Sequence, residues 1–284
     1  MILLRYEGFE LGLAPRLGGT VRHFRHDGRD LLRPGNGDQP TEAAAFAMIP
    51  FSGRIADGRF NWQGRNVQLG ANIPAEPHAI HGHGWTRGWQ ADAAGPDFAL
   101  LSYTHAPDTW PWTYRAEQAF RLGPSGLSLT LSVKNLSSES MPAGIGWHPF
   151  FPSRGAQIEA DTAMIWETGA DKIPVSRRLP TGKEQLRQPQ AVERLALDTP
   201  YETTGGPLNL RWPQDGLSIR ILTDEILRFL VVYTPSGEPY FCAEPMSHVP
   251  DMVNMTAPAR YTGLVALAPG ETLSGNLRLE LATC

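Results

Sequence analysis

The nonapeptide "LSLTLSVKN" constrains the fold most. Leu127, Leu129, Leu131 and Val133 occupy every second position, with Ser128, Thr130, Ser132 and Lys134 between them. Side chains of a strand alternate between faces, so this pattern describes a strand with one dry face and one wet face. "YRAEQAFRL", "LNLRW", "LSIRIL", "FLVVYT" and "NLRLEL" read the same way. Turn signals separate them: "HDGRD", "ADGR", "GPSG", "QDGL" and "PSGE", with Asp-Gly suited to tight hairpins. The 29 glycines and 25 prolines are spread along the chain, as many turns require.

Helical patterning is sparse. "PTEAAAFAMI" predicts one short helix, with Thr41 as N-cap and Pro50 just beyond its end. "GKEQLRQPQAVERLAL" is a weaker candidate, interrupted by Pro189. No Gly/Ser linker or internal repeat divides the chain. The stretch 169–206, with Lys172, Arg177, Arg178, Lys183 and Arg187, reads as a surface excursion. Together these features predict an all-β chain, a large antiparallel β-sandwich with residues 1–284 as a single domain.

A formal net charge of −4 and the lack of like-charge blocks argue against nucleic-acid or membrane-surface partners. No apolar run approaches the roughly 20 residues of a membrane helix, and "MILLRYEGFELG" lacks the apolar core of a signal peptide. A soluble cytoplasmic protein is expected. Of the two cysteines, Cys242 is internal and Cys284 is the last residue, so no disulfide framework is expected.

Five stretches carry candidate chemistry. "EPHAIHGHGW" holds His78, His81 and His83 beside Glu76. Imidazole and carboxylate suit a metal, and His81 and His83 would share a face of a strand. Yet no glutamate follows the His-x-His pair and no H-E-x-x-H is present, so no metal site is expected. In "GIGWHPFFP", His148 precedes Pro149, which holds its backbone extended and places it at a strand end, edge or bulge. An acid/base histidine and a core histidine bonded to a carbonyl are both open readings there.

In "FCAEPMSHVPD", Glu244 likewise precedes a proline, in a stretch where His248 is the only basic residue between Arg228 and Arg260. Desolvation without a cation raises a carboxyl pKa and makes a base useful near neutrality. A solvated strand-end glutamate is the plainer reading. Cys242 has no local cation to activate it and reads as a buried structural thiol. "FSGRIADGRF" offers Arg54, whose fork of donors suits hydroxyls or anions, and Arg59, which reads as a surface residue. "LDTPY" places Asp198 at a turn. Walker A, G-x-G-x-x-G and G-x-S-x-G motifs are absent, so neither a nucleotide cofactor nor a serine hydrolase is indicated.

Taken in order, these segments resemble the aldose 1-epimerase (mutarotase) family. "PFSGRIADGRF" is similar to its "NRI…GRF" segment and "IHGHGWTRGW" to its "LHG…G(F/W)…W" segment. "GWHPFF", "LDTPY" and "CAEPMSHVPDMVN" are similar to its "HPYF", Asp-x-x-Phe/Tyr and Glu-plus-"PD…N" elements. "LLRPG", "GWHPFFP" and "EPMSHVPD" look closest to a bacterial subgroup of undefined substrate.

The resemblance implies a β-supersandwich and cofactor-independent interconversion of the anomers of a free sugar. It also implies Glu244 as general base and His148 as general acid, on opposite sides of the C1–O5 bond. Arg54, His81 and Asp198 fall on its sugar-binding positions. Trp85 and Trp147 are candidates to cover the sugar's apolar surface, with core packing the plainer role. A small sugar is then the only implied partner, and the protein a monomer or homodimer. A sugar-binding regulator and a phosphosugar epimerase are the alternatives; for the latter Arg87, Arg154, Arg177 and Arg178 would be candidate clamps. Gly53 departs from the family's usual asparagine. His248 reads as a supporting or surface residue, or as the acid should His148 prove unreachable.

Overall fold

The computed structural model describes residues 1–74 and 76–283. Two large antiparallel sheets dominate it, one of eleven strands and one of nine, with three small two-stranded sheets beside them. The strand Gly126–Asn135 shows the expected alternation: Leu127, Leu129, Leu131 and Val133 are each at most 1% exposed. It lies between Tyr114–Gly123 and Thr272–Thr283 in the nine-stranded sheet. One hydrophobic core takes in residues of both large sheets, including Leu129, Trp147, Phe151 and Phe241. This is the sandwich that the period-2 pattern predicts.

The predicted helix at "PTEAAAFAMI" is not formed. Pro40–Glu42 make one 3-10 turn, capped by Gln39 and not by Thr41, and Ala45–Met48 are a strand. Its residues are all buried, and a strand covered on both faces loses alternation, which leaves an Ala-rich run with a helical look. The second candidate resolves into 3-10 turns at Gly182–Glu184 and Val192–Arg194 around a short strand, Gln190–Ala191. The stretch 169–206 is also more than an excursion. Its strands Pro174–Arg178 and Asp198–Thr203 belong to the eleven-stranded sheet.

Three adjacent strands of that sheet position the candidate residues: Ala45–Met48, Gly146–Pro152 and Tyr240–Met246. Gly146–Pro152 is therefore interior, and Pro149 does not mark an edge. Phe150 donates its N–H to Ala44 O at 3.0 Å. By strand alternation the position of Pro149 N faces the other neighbour. There the paired positions run from Gly146↔Met246 to Phe150↔Cys242 with none between. Pro149 and Pro245 both fall in this interruption, so neither removes a ladder hydrogen bond that the rest of the sheet makes.

Candidate active site

His148 and Glu244 face each other across that interruption. His148 Nε2 is 3.3 Å from Glu244 Oε1. His148 is 9% exposed and Glu244 3%. Both point away from the face that carries Trp147 and Phe151, as alternation requires. Phe46, directly opposite His148 on the next strand, stacks on its ring at 4.6 Å between centroids. His81 meets the same imidazole edge-on at 5.2 Å.

Burial drives both ionisations toward neutrality. Desolvation pushes Glu244 well above the usual carboxylate range, and the charge of Asp198 adds to this while Arg54 opposes it. Desolvation pushes His148 down to about 3, with Arg33 acting in the same direction. His148 Nδ1 has no hydrogen-bond partner among the described residues. Nε2 is therefore the ring nitrogen through which His148 can share a proton with the Glu244 carboxyl.

The segment 52–59 carries Arg54, and polar side chains hold its backbone at Ser52, Gly53, Ala56, Asp57 and Arg59. Ser52 N–H donates to His248 Nε2 at 3.0 Å, and Gly53 N–H to His81 Nδ1 at 3.1 Å. Ala56 N–H donates to Asp251 Oδ1 at 3.0 Å, and Asp57 N–H to His78 Nδ1 at 2.9 Å. Asn254 Nδ2 donates to Arg59 O at 2.8 Å and to Asp251 Oδ1 at 2.7 Å. The "PD…N" element thus acts on backbone groups that would otherwise be unsatisfied. Arg54 itself donates from Nε to Glu76 Oε2 at 3.0 Å.

The three histidines of "HAIHGHG" diverge. His81 has φ 59°, a left-handed conformation that costs a non-glycine residue free energy. Its N–H donates to Gly53 O at 2.8 Å, so the strain is held by a reciprocal pair of bonds. The turn continues through Gly82 at φ 65°, where a Cβ would overlap Ile49 O. His81 and His83 therefore share no face. His83 Nε2 lies 2.9 Å from His105 Nδ1 instead, in a separate aromatic cluster, and no metal site forms from the three. Because His81 Nδ1 accepts and burial depresses its pKa, it presents an Nε2–H donor.

Gly53 has φ 66°, and a Cβ there would lie 2.7 Å from Pro250 Cγ. Asparagine would need Pro250 to move.

Asp198 sits at the start of its strand in register with Tyr233, which pairs with Cys242. Its carboxylate is 3.7 Å from Lys172 Nζ. Cys242 is buried with its thiol pushed up by desolvation, as expected for an unactivated thiol. Cys284 lies outside the described residues. His248 is 1% exposed, not a surface residue, and its Nδ1 donates to Val249 O at 2.7 Å. With both nitrogens engaged it has no proton to offer a ligand. Trp147 is fully buried, and Trp85 stacks on Phe46 at 5.3 Å.

Sequence reasoning missed Phe46, hidden in the supposed helix, and Arg33, whose guanidinium lies 3.8 Å over the Phe150 ring and 4.5 Å from Tyr240. Arg33 belongs to the "LLRPG" phrase, which was the available signal. Of the proposed phosphate clamps, Arg87 pairs with Asp108, Arg177 with Glu202 and Arg178 with Glu184.

The fold and this arrangement define a galactose mutarotase-like sandwich. The family model described as aldose 1-epimerase matches residues 12–280, and the chain belongs to that family. It is 33% identical over 275 residues to the uncharacterized protein YphB of Escherichia coli K12, covering 93% of each. A crystal structure from the same organism, described provisionally as an aldose 1-epimerase, superposes with TM-score 0.91 at 31% identity, over 99% of this chain and 98% of that one. A galactose mutarotase-like protein of Clostridium acetobutylicum shares the fold, with TM-score 0.90 at 18% identity over 99% and 95%. Among the described residues no helix is long and apolar enough to cross a membrane.

Proposed function

We infer that this protein is a mutarotase, interconverting the α and β anomers of an aldose by opening and closing its ring, and that residues 1–284 act as one unit. The observation that carries this reading is the His148–Glu244 contact: one acid and one base, 3.3 Å apart, among groups that exclude water. Ring opening needs a proton taken from the C1 hydroxyl while another is given to the ring oxygen. Both oxygens are bonded to C1, so neighbouring groups on one sheet face can serve them, and the groups need not lie on opposite sides of the C1–O5 bond.

Glu244 is the base and His148 the acid. In the empty site burial favours the uncharged pair, with one shared proton. The sugar's hydroxyls hydrogen-bond the carboxylate and imidazolium and so favour the charged form. As Glu244 takes the O1 proton, the C1–O5 bond breaks and His148 protonates O5. The aldehyde turns about C1–C2, and closure reverses both transfers on the other face. The pair ends with the proton count it began with. Each transfer supplies on the order of 10²–10⁴-fold. Arg54, the Nε2–H of His81 and Asp198 orient the hydroxyls.

Anomer exchange measured by NMR on a panel of neutral, acidic and phosphorylated aldoses tests the reading. Faster exchange of at least one sugar is expected. Binding without faster exchange would instead favour a regulatory sugar binder.

A further inference from the structure

The geometry points to a binding site for a thiophilic divalent cation, of the zinc class, built from His148, Cys242 and Glu244. The metal would occupy the sugar's place and inhibit. One ligand atom from each residue lies within 4.8 Å of the others, and all three residues are buried. The His148–Glu244 separation is 3.3 Å. Ligand atoms around a tetrahedral zinc, with bonds near 2.0–2.3 Å, stand roughly 3.3–3.8 Å apart. Small side-chain rotations would therefore close the set.

The three come together because of register. Cys242 and Glu244 alternate on one strand, and His148 faces Glu244 from the next. They supply one nitrogen, one sulfur and one oxygen, and leave a fourth position for water. A soft thiolate with imidazole selects zinc-like ions over magnesium. Glu244 has no ion-pair partner among the described residues other than His148. Asp198 adds negative field at Glu244. Arg54, the cation acting on Glu244, is already bound to Glu76. Arg33, on the His148 side, is engaged with the Thr41 and Ala43 carbonyls.

Binding balances as the divalent ion displacing two protons, one from the Cys242 thiol and one from the His148–Glu244 pair. The other histidine cluster is less suited. His105 Nε2 lies 3.0 Å from Trp110 O and its Nδ1 2.9 Å from His83 Nε2, so both nitrogens are already used.

The test uses the full chain with Cys284→Ser, so that Cys242 is the only thiol. Titration with Co²⁺ should give a thiolate-to-cobalt charge-transfer band at one equivalent, which Zn²⁺ abolishes and Mg²⁺ does not. Cys242→Ser, checked for an unchanged circular dichroism spectrum, should remove the band and weaken Zn²⁺ binding on the order of 10–100-fold or more, at least what loss of an outer partner costs. His83→Gln should leave the band intact. No band in the Cys284→Ser protein, or a band lost with His83→Gln, overturns the proposal. This spectroscopic readout does not need anomer exchange, so it stands or fails separately from the mutarotase reading. Where exchange is measured, Zn²⁺ should suppress it competitively with sugar, and EDTA should restore it; inhibition persisting in Cys242→Ser at the same Zn²⁺ concentration also overturns the proposal.

Discussion

His148 Nε2 and Glu244 Oε1 stand 3.3 Å apart on adjacent strands, midway between the paired positions Gly146↔Met246 and Phe150↔Cys242. A proline follows each of them. The sheet therefore sets the pair's separation, and the interruption of the ladder accommodates both prolines. Groups that act as a unit lose activity non-additively. Glu244→Gln and His148→Gln should each lower kcat on the order of 10²–10⁴-fold, and the double variant should be little worse than the poorer single one. Multiplicative losses, read by anomer-exchange kinetics, would show that the two act independently.

Arg54 is bound to Glu76 at 3.0 Å, and the Glu76 carboxylate offsets the charge that Arg54 exerts on Glu244. Glu76→Gln should free that charge, favour the Glu244 carboxylate and move both limbs of the pH–rate profile to lower pH. An opposite charge in contact shifts a carboxyl by about 1–3 units. Arg54 makes no such contact with Glu244, so a shift below about one unit is expected. The limbs report the pair and not either residue alone. An upward shift would contradict this arrangement.

Burial raises the folded-state pKa of Glu244 above its unfolded value of about 4.3. Its contribution to stability is then fully present below that unfolded value and is lost as pH rises through the folded one. Glu244→Gln cannot ionise. Its melting temperature should gain on that of wild type as pH is raised from 4 toward 8. A difference independent of pH would contradict the assignment.

His248 and Asp251 hold the backbone of the segment that carries Arg54. His248→Gln should cost roughly 1–3 kcal/mol of stability, the range for leaving a buried partner unsatisfied, and should raise KM more than it lowers kcat. Asp251→Ala should behave similarly. A fall in kcat with His248→Gln as large as that with His148→Gln would make His248 the acid.

Much of the fold was legible in alternation, because strands with one wet face must alternate. Ala45–Met48 was not legible, since a strand buried on both faces carries no alternating signal. Pro149 suggested a strand end, an edge or a bulge because a sequence shows one missing N–H but not the matching interruption in the neighbouring strand. At the site, Glu244 and His148 stood out through apolar surroundings and following prolines. His81 and His83 were grouped wrongly because a left-handed residue cannot be read from a His-x-His spacing. His248 was legible as a polar residue in apolar company. Its partner Ser52 lies 196 residues away and only the fold supplies it.

The role proposed for Glu244 is to move a proton and not merely to hold the sugar. Once a sugar is found whose exchange the wild-type protein accelerates, Glu244→Gln can be examined on that sugar by exchange NMR and by isothermal titration. Near-wild-type affinity is expected, with exchange reduced on the order of 10²-fold or more. Exchange at the wild-type rate in a folded Glu244→Gln protein would contradict it.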